Sequence, residues 1–130
     1  ILMDKNKLIQ KLNLENLLTI SAALQKQKCF VFYGTLLGII REKNILNGDD
    51  DIDILINIKI KKKVLEIIKK IKIFNINKKV TNNNFIQLVR KENKIKTFVD
   101  LYFYIDNPKK KYIIEKHNFL SSVNLKSHAL

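Results

Sequence analysis

Eight residues constrain this chain more than any others: Asp51-Ile52-Asp53-Ile54-Leu55-Ile56-Asn57-Ile58. Isoleucine fills every second position, and β-branched side chains favour an extended backbone. In a strand, alternate side chains share a face and stand about 6.6 Å apart. The spacing therefore predicts a strand with Ile52, Ile54, Ile56 and Ile58 toward a core. Asp51 and Asp53 then project together from the opposite face. Asn47-Gly48, just upstream, reads as the tight turn that feeds this strand.

The acids are crowded for a chain that has few. Of twelve Asp and Glu in 130 residues, Asp49, Asp50, Asp51 and Asp53 lie within one window of five. At roughly 7 Å and an effective dielectric of about 20, each like-charge pair costs about 2 kcal/mol. A bound cation removes that cost, and carboxylate oxygens suit Mg²⁺ or Mn²⁺. A third acid stands in a similar apolar run, Phe98-Val99-Asp100-Leu101-Tyr102-Phe103. If the two strands are neighbours, Asp51, Asp53 and Asp100 form one metal site. Such a site can hold a pair of divalent ions, the arrangement that serves in-line displacement at phosphorus. Asp49 and Asp50 read equally well as solvated loop acids.

Around these strands the chain alternates helix and strand signals. Asp4 can cap a helix running to about Gln27, with Leu14, Leu17, Leu18, Ser21 and Leu24 as its apolar stripe. Cys29 to Tyr33 is a short apolar strand. Gly34 then allows a sharp exit, and Thr35 to about Lys43 reads as a helix whose first amides can receive phosphate. Ile60, Val64, Ile67, Ile68 and Ile71 mark a basic amphipathic helix. Strands are expected at 73–80, 85–91 and 95–105, with an edge strand at 112–115. This order gives an α/β (α+β) class: a mixed β-sheet with helices packed against one face. Residues 1–130 read as one domain, since a chain of this length buries somewhat under about 70% of its unfolded surface.

Composition narrows the partners. The formal charge is +13, but lysine, isoleucine and asparagine are all abundant, as AT-rich coding alone produces. Aromatics are not interleaved with the lysines as stacking platforms for single strands require. Nucleic acid is therefore not the expected partner. The lysines of the amphipathic helix are expected to be a solvated face, with peripheral contact to anionic lipid as the alternative. No window reaches the roughly 20 apolar residues of a membrane span, and the first residues do not read as a secretion signal. Cys29 is the single cysteine, which fits a reducing, cytoplasmic setting and a buried, inert thiol. Arginine occurs only as Arg41 and Arg90. Each offers the planar fork that binds phosphate or carboxylate, or else a structural ion pair such as Arg41 with Asp49 or Asp50. His117, His128 and Ser121-Ser122 have no catalytic pattern around them. Tyr102 and Tyr104 share a strand face with Asp100.

Tyr33-Gly34-Thr35-Leu36-Leu37-Gly38-Ile39-Ile40-Arg41-Glu42-Lys43-Asn44-Ile45 and Asp49-Asp50-Asp51-Ile52-Asp53-Ile54, with Phe85 to Arg90 and then Val99 to Phe103, resemble the LicD family. That family, which includes bacterial phosphocholine transferases and relatives of the fukutins, lies in the DNA-polymerase-β-type nucleotidyltransferase superfamily. The resemblance covers about residues 28–104. It departs from the family at Asn47-Gly48, where Pro-Trp is usual. It also implies a catalytic domain without the usual C-terminal extension.

The resemblance implies roles. Asp51 and Asp53 would hold Mg²⁺ against the pyrophosphate of a nucleotide-activated donor, a CDP-alcohol or an NTP. Asp100 would complete the second metal site or accept the proton of the attacking hydroxyl. Gly34 would allow close approach of the phosphates and Thr35 would donate a hydrogen bond to them, with Arg41 and Arg90 as further donor-binding groups. The implied reaction moves a phospho-alcohol such as phosphocholine from CDP to a hydroxyl of a glycan acceptor. The alternatives are transfer of a nucleoside monophosphate to a small molecule, protein or RNA, and a truncated, non-catalytic nucleotide-binding remnant.

Overall fold

The computed structural model describes residues 4–27, 29–31, 33–107, 112–115 and 122–123. Helix α1, Lys5–Ala23, starts where the Asp4 side chain accepts a hydrogen bond from the Asn6 amide at 2.9 Å. The cap satisfies one of the donors a helix start leaves free. Strand β1 is Cys29–Val31 and helix α2 is Tyr33–Glu42. Helix α2 ends on Lys43, which takes a left-handed φ of 55°. Strand β2, Asp51–Asn57, follows the turn at Asn47-Gly48, where Gly48 adopts φ 94°. A single 3₁₀ turn, Ile58–Ile60, leads into α3, Lys61–Lys69. Then come β3 (Asn75–Ile76), β4 (Phe85–Glu92), β5 (Ile95–Asn107), β6 (Tyr112–Glu115) and β7 (Ser122–Val123).

These strands form one mixed seven-stranded sheet with the path β1-β2-β5-β4-β3, and β6 and β7 continue from the end of β5. The pair β2–β5 is parallel and the other pairs are antiparallel. A parallel neighbour needs a long crossover, and residues 58–94 supply it, carrying α3, β3 and β4. Asn93, at φ 56°, closes the tight β4–β5 hairpin.

Ile52, Ile54 and Ile56 face one side, with Ile86 and Leu88 of β4 and Val99, Leu101 and Phe103 of β5. Leu17, Ile20 and Leu24 from α1 and its C-cap, and Val64 and Ile68 from α3, close over them. Each such side chain fully withdrawn from water stabilises the fold by roughly 1.5–3 kcal/mol. Of the expected α3 stripe, Val64 and Ile68 are buried and Ile67 is partly buried. Ile60 and Ile71 fall just outside the helix but still pack on the same core. The α1 stripe differs from expectation. Leu14 is 37% and Leu18 61% exposed, while Ile9, Leu12, Asn13, Asn16, Leu17 and Ile20 are buried.

Asparagine inside a helix–sheet interface needs partners, and β5 and the loop before β2 provide them. Asn16 Nδ2 donates to Thr97 Oγ1 at 2.9 Å, and Asn13 Nδ2 donates to the Asp49 carbonyl at 2.9 Å. The two asparagines share the buried face of α1 with Ile9, Leu12, Leu17 and Ile20. The expected strand at 73–80 shrinks to β3 alone. Tyr33, expected in the first strand, opens α2. Pro108 and Lys109 of the turn expected at Asp106 to Lys109, with His117, Ser121 and His128, lie outside the described residues.

Candidate active site

The alternation that makes β2 a strand also aims its acids. Register then decides what stands beside them. In the parallel β2–β5 ladder Asp53 lies directly beside Asp100, and Asp51 sits two residues before Asp53 on the same face. One carboxylate oxygen from each of Asp51, Asp53 and Asp100 lies within 4.8 Å of the others. Asp53 is 5% exposed and Asp100 6%, while Asp51 is half-buried at the mouth.

Such crowding disfavours ionisation. Burial, then the charges of Asp51 and Asp100, push Asp53 up to about 8, against a hydrogen bond with Tyr102 that lowers it. Burial and a hydrogen bond with Asp51 push Asp100 up to about 7, and the Gln87 amide works the other way. Asp49 is also raised, by burial and by Asp51 and Asp50. Asp49 and Asp50 stay outside the triad. Their backbone carbonyls are in use, the first accepting from Asn13 and the second from the Phe98 amide at 2.9 Å.

Thr35 braces β2 from the other edge. Among the described residues, antiparallel pairing of β1 with β2 reaches Val31 opposite Ile54. The Asp53 amide donates to Thr35 Oγ1 at 2.8 Å, and Thr35 is 2% exposed. The hydroxyl thus accepts from the acid strand and keeps its own proton for donation. Gly34 lies in the first turn of α2. Gly38, one turn on, touches the loop that leads to β2. A Cβ there would stand 2.5 Å from the Asn44 carbonyl oxygen, so only glycine lets α2 and this loop approach so closely.

Neither arginine forms an ion pair with the clustered acids among the described residues. Arg41 is exposed on the last turn of α2 and forms no ion pair with Asp49 or Asp50 among the described residues. Arg90 shares strand parity with Ile86 and Leu88, so it points toward α1, away from the acids. There it pairs with Glu15 at 3.2 Å and Glu92 at 3.3 Å, and donates to Asn16 Oδ1 at 3.1 Å. The structure does not bring Arg90 to the carboxylates.

Two neighbours do reach them. Gln87, opposite Asp100 in the β4–β5 ladder, donates from Nε2 to Asp100 Oδ1 at 2.9 Å. Sequence reasoning passed over Gln87, although it is the one amide in the apolar run Phe85-Ile86-Gln87-Leu88-Val89. Tyr102, half-buried, meets Phe85 ring to ring at 5.1 Å on the same face. A separate cavity of about 220 Å³ is lined by Ile20, Leu24, Cys29, Val31 and Ile54. It lies on the α1 side of the sheet, and burial lifts the Cys29 thiol there to about 11. That thiol is inert at neutral pH.

The donor set fits a hard divalent cation. It is all oxygen, it converges, and the charges acting on Asp53 and Asp100 are those of other carboxylates. Two acids on one strand, a third on its parallel neighbour and a Gly-Thr helix start braced against the first define a nucleotidyltransferase-type domain. The family model for the LicD/FKTN/FKRP nucleotidyltransferase domain matches residues 26–128. The chain belongs to that family. No curated protein matches it significantly.

Proposed function

We propose that this domain is a metal-dependent phosphotransferase that moves a phospho-alcohol, such as phosphocholine, from a CDP-activated donor to a glycan hydroxyl. The observation that carries the reading is the convergence of Asp51, Asp53 and Asp100 within a LicD-family domain. Asp51 and Asp53 would hold Mg²⁺ or Mn²⁺, with Asp100 either completing its oxygen shell or taking the proton of the attacking hydroxyl. A cation bound there supplies the positive charge that phosphoryl transfer needs at the pyrophosphate oxygens. The start of α2 would offer the amides of its first turn to the donor phosphates, while the Thr35 hydroxyl holds the Asp53 backbone. Burial of Asp53 and Asp100 keeps water from competing for their oxygens.

A second reading follows from the nucleotidyltransferase description of the family: transfer of a nucleoside monophosphate. Product analysis separates them, since the first releases CMP and the second pyrophosphate. Titration calorimetry with CDP-choline, CTP and ATP, with and without Mg²⁺, tests both. The expected result is metal-dependent binding of a cytidine nucleotide that Asp51→Ala/Asp53→Ala abolishes. A folded protein that binds no nucleotide in Mg²⁺ would overturn the reading.

A further inference from the structure

Strand β3 is two residues long, at the sheet edge, and buries little. What it delivers is Asn77. Just past the β3–β4 ladder, the Asn77 amide donates to the Gln87 carbonyl at 2.8 Å. Its side chain also reaches Gln87, with Nδ2 donating to Oε1 at 2.8 Å. Gln87 Nε2 then donates to Asp100 Oδ1 at 2.9 Å. The Thr81 hydroxyl accepts from the Gln87 amide at 3.2 Å, fixing the strand at that point.

The direction of this chain of bonds is set at its far end. Asn77 Oδ1 accepts from the backbone amide of Lys79 at 3.3 Å. A backbone N–H can only donate, so the oxygen of Asn77 must face it and the NH₂ must face Gln87. The oxygen of Gln87 is thereby occupied, and its NH₂ must face Asp100. Each amide leaves the next one a single orientation.

We propose that Gln87 is a positioning residue for the acidic site, held in its donating orientation by Asn77. Its bond to Oδ1 fixes the rotation of the Asp100 carboxyl group, so that Asp100 is presented to a cation shared with Asp51 and Asp53. This rests on the metal-site reading above and adds to it the pair that aims the third ligand. Partners that orient a ligand typically alter metal affinity 10–100-fold when removed.

The relay makes a prediction that plain packing does not. Asn77→Asp is nearly isosteric, but a carboxylate cannot donate to Gln87 Oε1. The Gln87 amide would turn its NH₂ toward the new acid and its oxygen toward Asp100. Asn77→Ala merely frees Gln87 to choose. The aspartate also adds negative charge, which by itself would strengthen cation binding.

Mn²⁺ binding to the 130-residue chain, followed by the electron paramagnetic resonance of free Mn²⁺, reads this out. Gln87→Ala should weaken binding about 10–100-fold, and Asn77→Asp should weaken it more than Asn77→Ala. Thermal melts of the metal-free proteins run alongside, and the order of the two Asn77 variants stands even where Gln87→Ala proves unstable. Wild-type affinity in Gln87→Ala, or tighter binding by Asn77→Asp, would overturn the positioning role while leaving the metal site intact. Absence of Mn²⁺ binding by the wild type, unchanged in Asp51→Ala/Asp53→Ala, would overturn the metal-site reading and this role with it.

Discussion

The central strands carry a buried polar cluster on each face, and the two clusters are built on opposite principles. Under α1, Asn13, Asn16, Thr97 and Arg90 meet with Glu15 and Glu92 at the rim. Donors there face acceptors, and the Arg90 charge is met by two carboxylates. Arg90 Nε is a buried donor without a partner among the described residues, but the one buried positive charge is met by charges of the opposite sign. Across the sheet, Asp51, Asp53 and Asp100 bring acceptors and negative charge together, with Gln87 and Tyr102 as neutral donors. A buried polar cluster that closes on itself can be structural. One that accumulates a single sign is incomplete until something of the other sign arrives.

The largest test of that contrast is pH. A carboxyl whose folded pKa lies above its unfolded value keeps its proton in the folded state after the unfolded chain has lost it. Stability from such a group is full below the unfolded value near 3.8 and is lost as pH rises toward the folded one. With Asp53 at about 8 and Asp100 at about 7, the metal-free protein should lose stability steadily between pH 5 and pH 8.5. Several kcal/mol is the expected order, since each pK unit is about 1.4 kcal/mol. Urea melts across that range should show it, with a shallower slope in Asp53→Asn. Added Mn²⁺ should restore most of the loss at pH 8.5 and little at pH 5, because binding must displace the protons. A flat profile in metal-free protein would mean that the acidic face is already compensated.

The α1 face should respond in the other currency, folding stability without metal. Arg90→Met removes the partner of the Asn16 oxygen, and Asn16 is 0% exposed. An orphaned buried acceptor costs roughly 1–3 kcal/mol, whereas the ion pairs to half-exposed Glu15 and Glu92 contribute little. The expected loss is about 2 kcal/mol in denaturant, with Mn²⁺ affinity within twofold of wild type. A large fall in Mn²⁺ affinity would tie the two faces together and break the comparison.

Local sequence announced one face better than the other. Asp51 and Asp53 were legible because the Ile alternation and the acids sit in the same eight residues, and parity alone puts them on one face. Asp100 was legible from its own apolar run. Gln87 was not, because its value depends on standing opposite Asp100 in an antiparallel ladder, and register between distant strands is not written locally. Arg90 drew notice as a rare residue in a lysine-rich chain. Its parity with Ile86 and Leu88 already pointed it at the core. The family resemblance pointed to the three acids, but it carried neither the strand order that brings them together nor the asparagines that share the buried face of α1 with Leu12, Leu17 and Leu24.

That last misreading gives the smallest and sharpest test. Leu14, Leu17, Leu18 and Leu24 offer α1 an apolar stripe, and a hydrophobicity argument alone buries Leu18. The structure turns the helix so that Asn13 and Asn16 reach Asp49, Thr97 and Arg90, leaving Leu18 61% exposed and Leu17 8%. Leu18→Lys should therefore change stability by less than about 0.5 kcal/mol, as surface substitutions do. Leu17→Ala, next to it, should cost about 2–5 kcal/mol through lost burial and the cavity left behind. Equal losses for the two would mean that Leu18 is buried like Leu17 and that α1 is turned differently on the sheet. The polar cluster beneath it would then have no helix to close it, and the distinction between the two faces would fall.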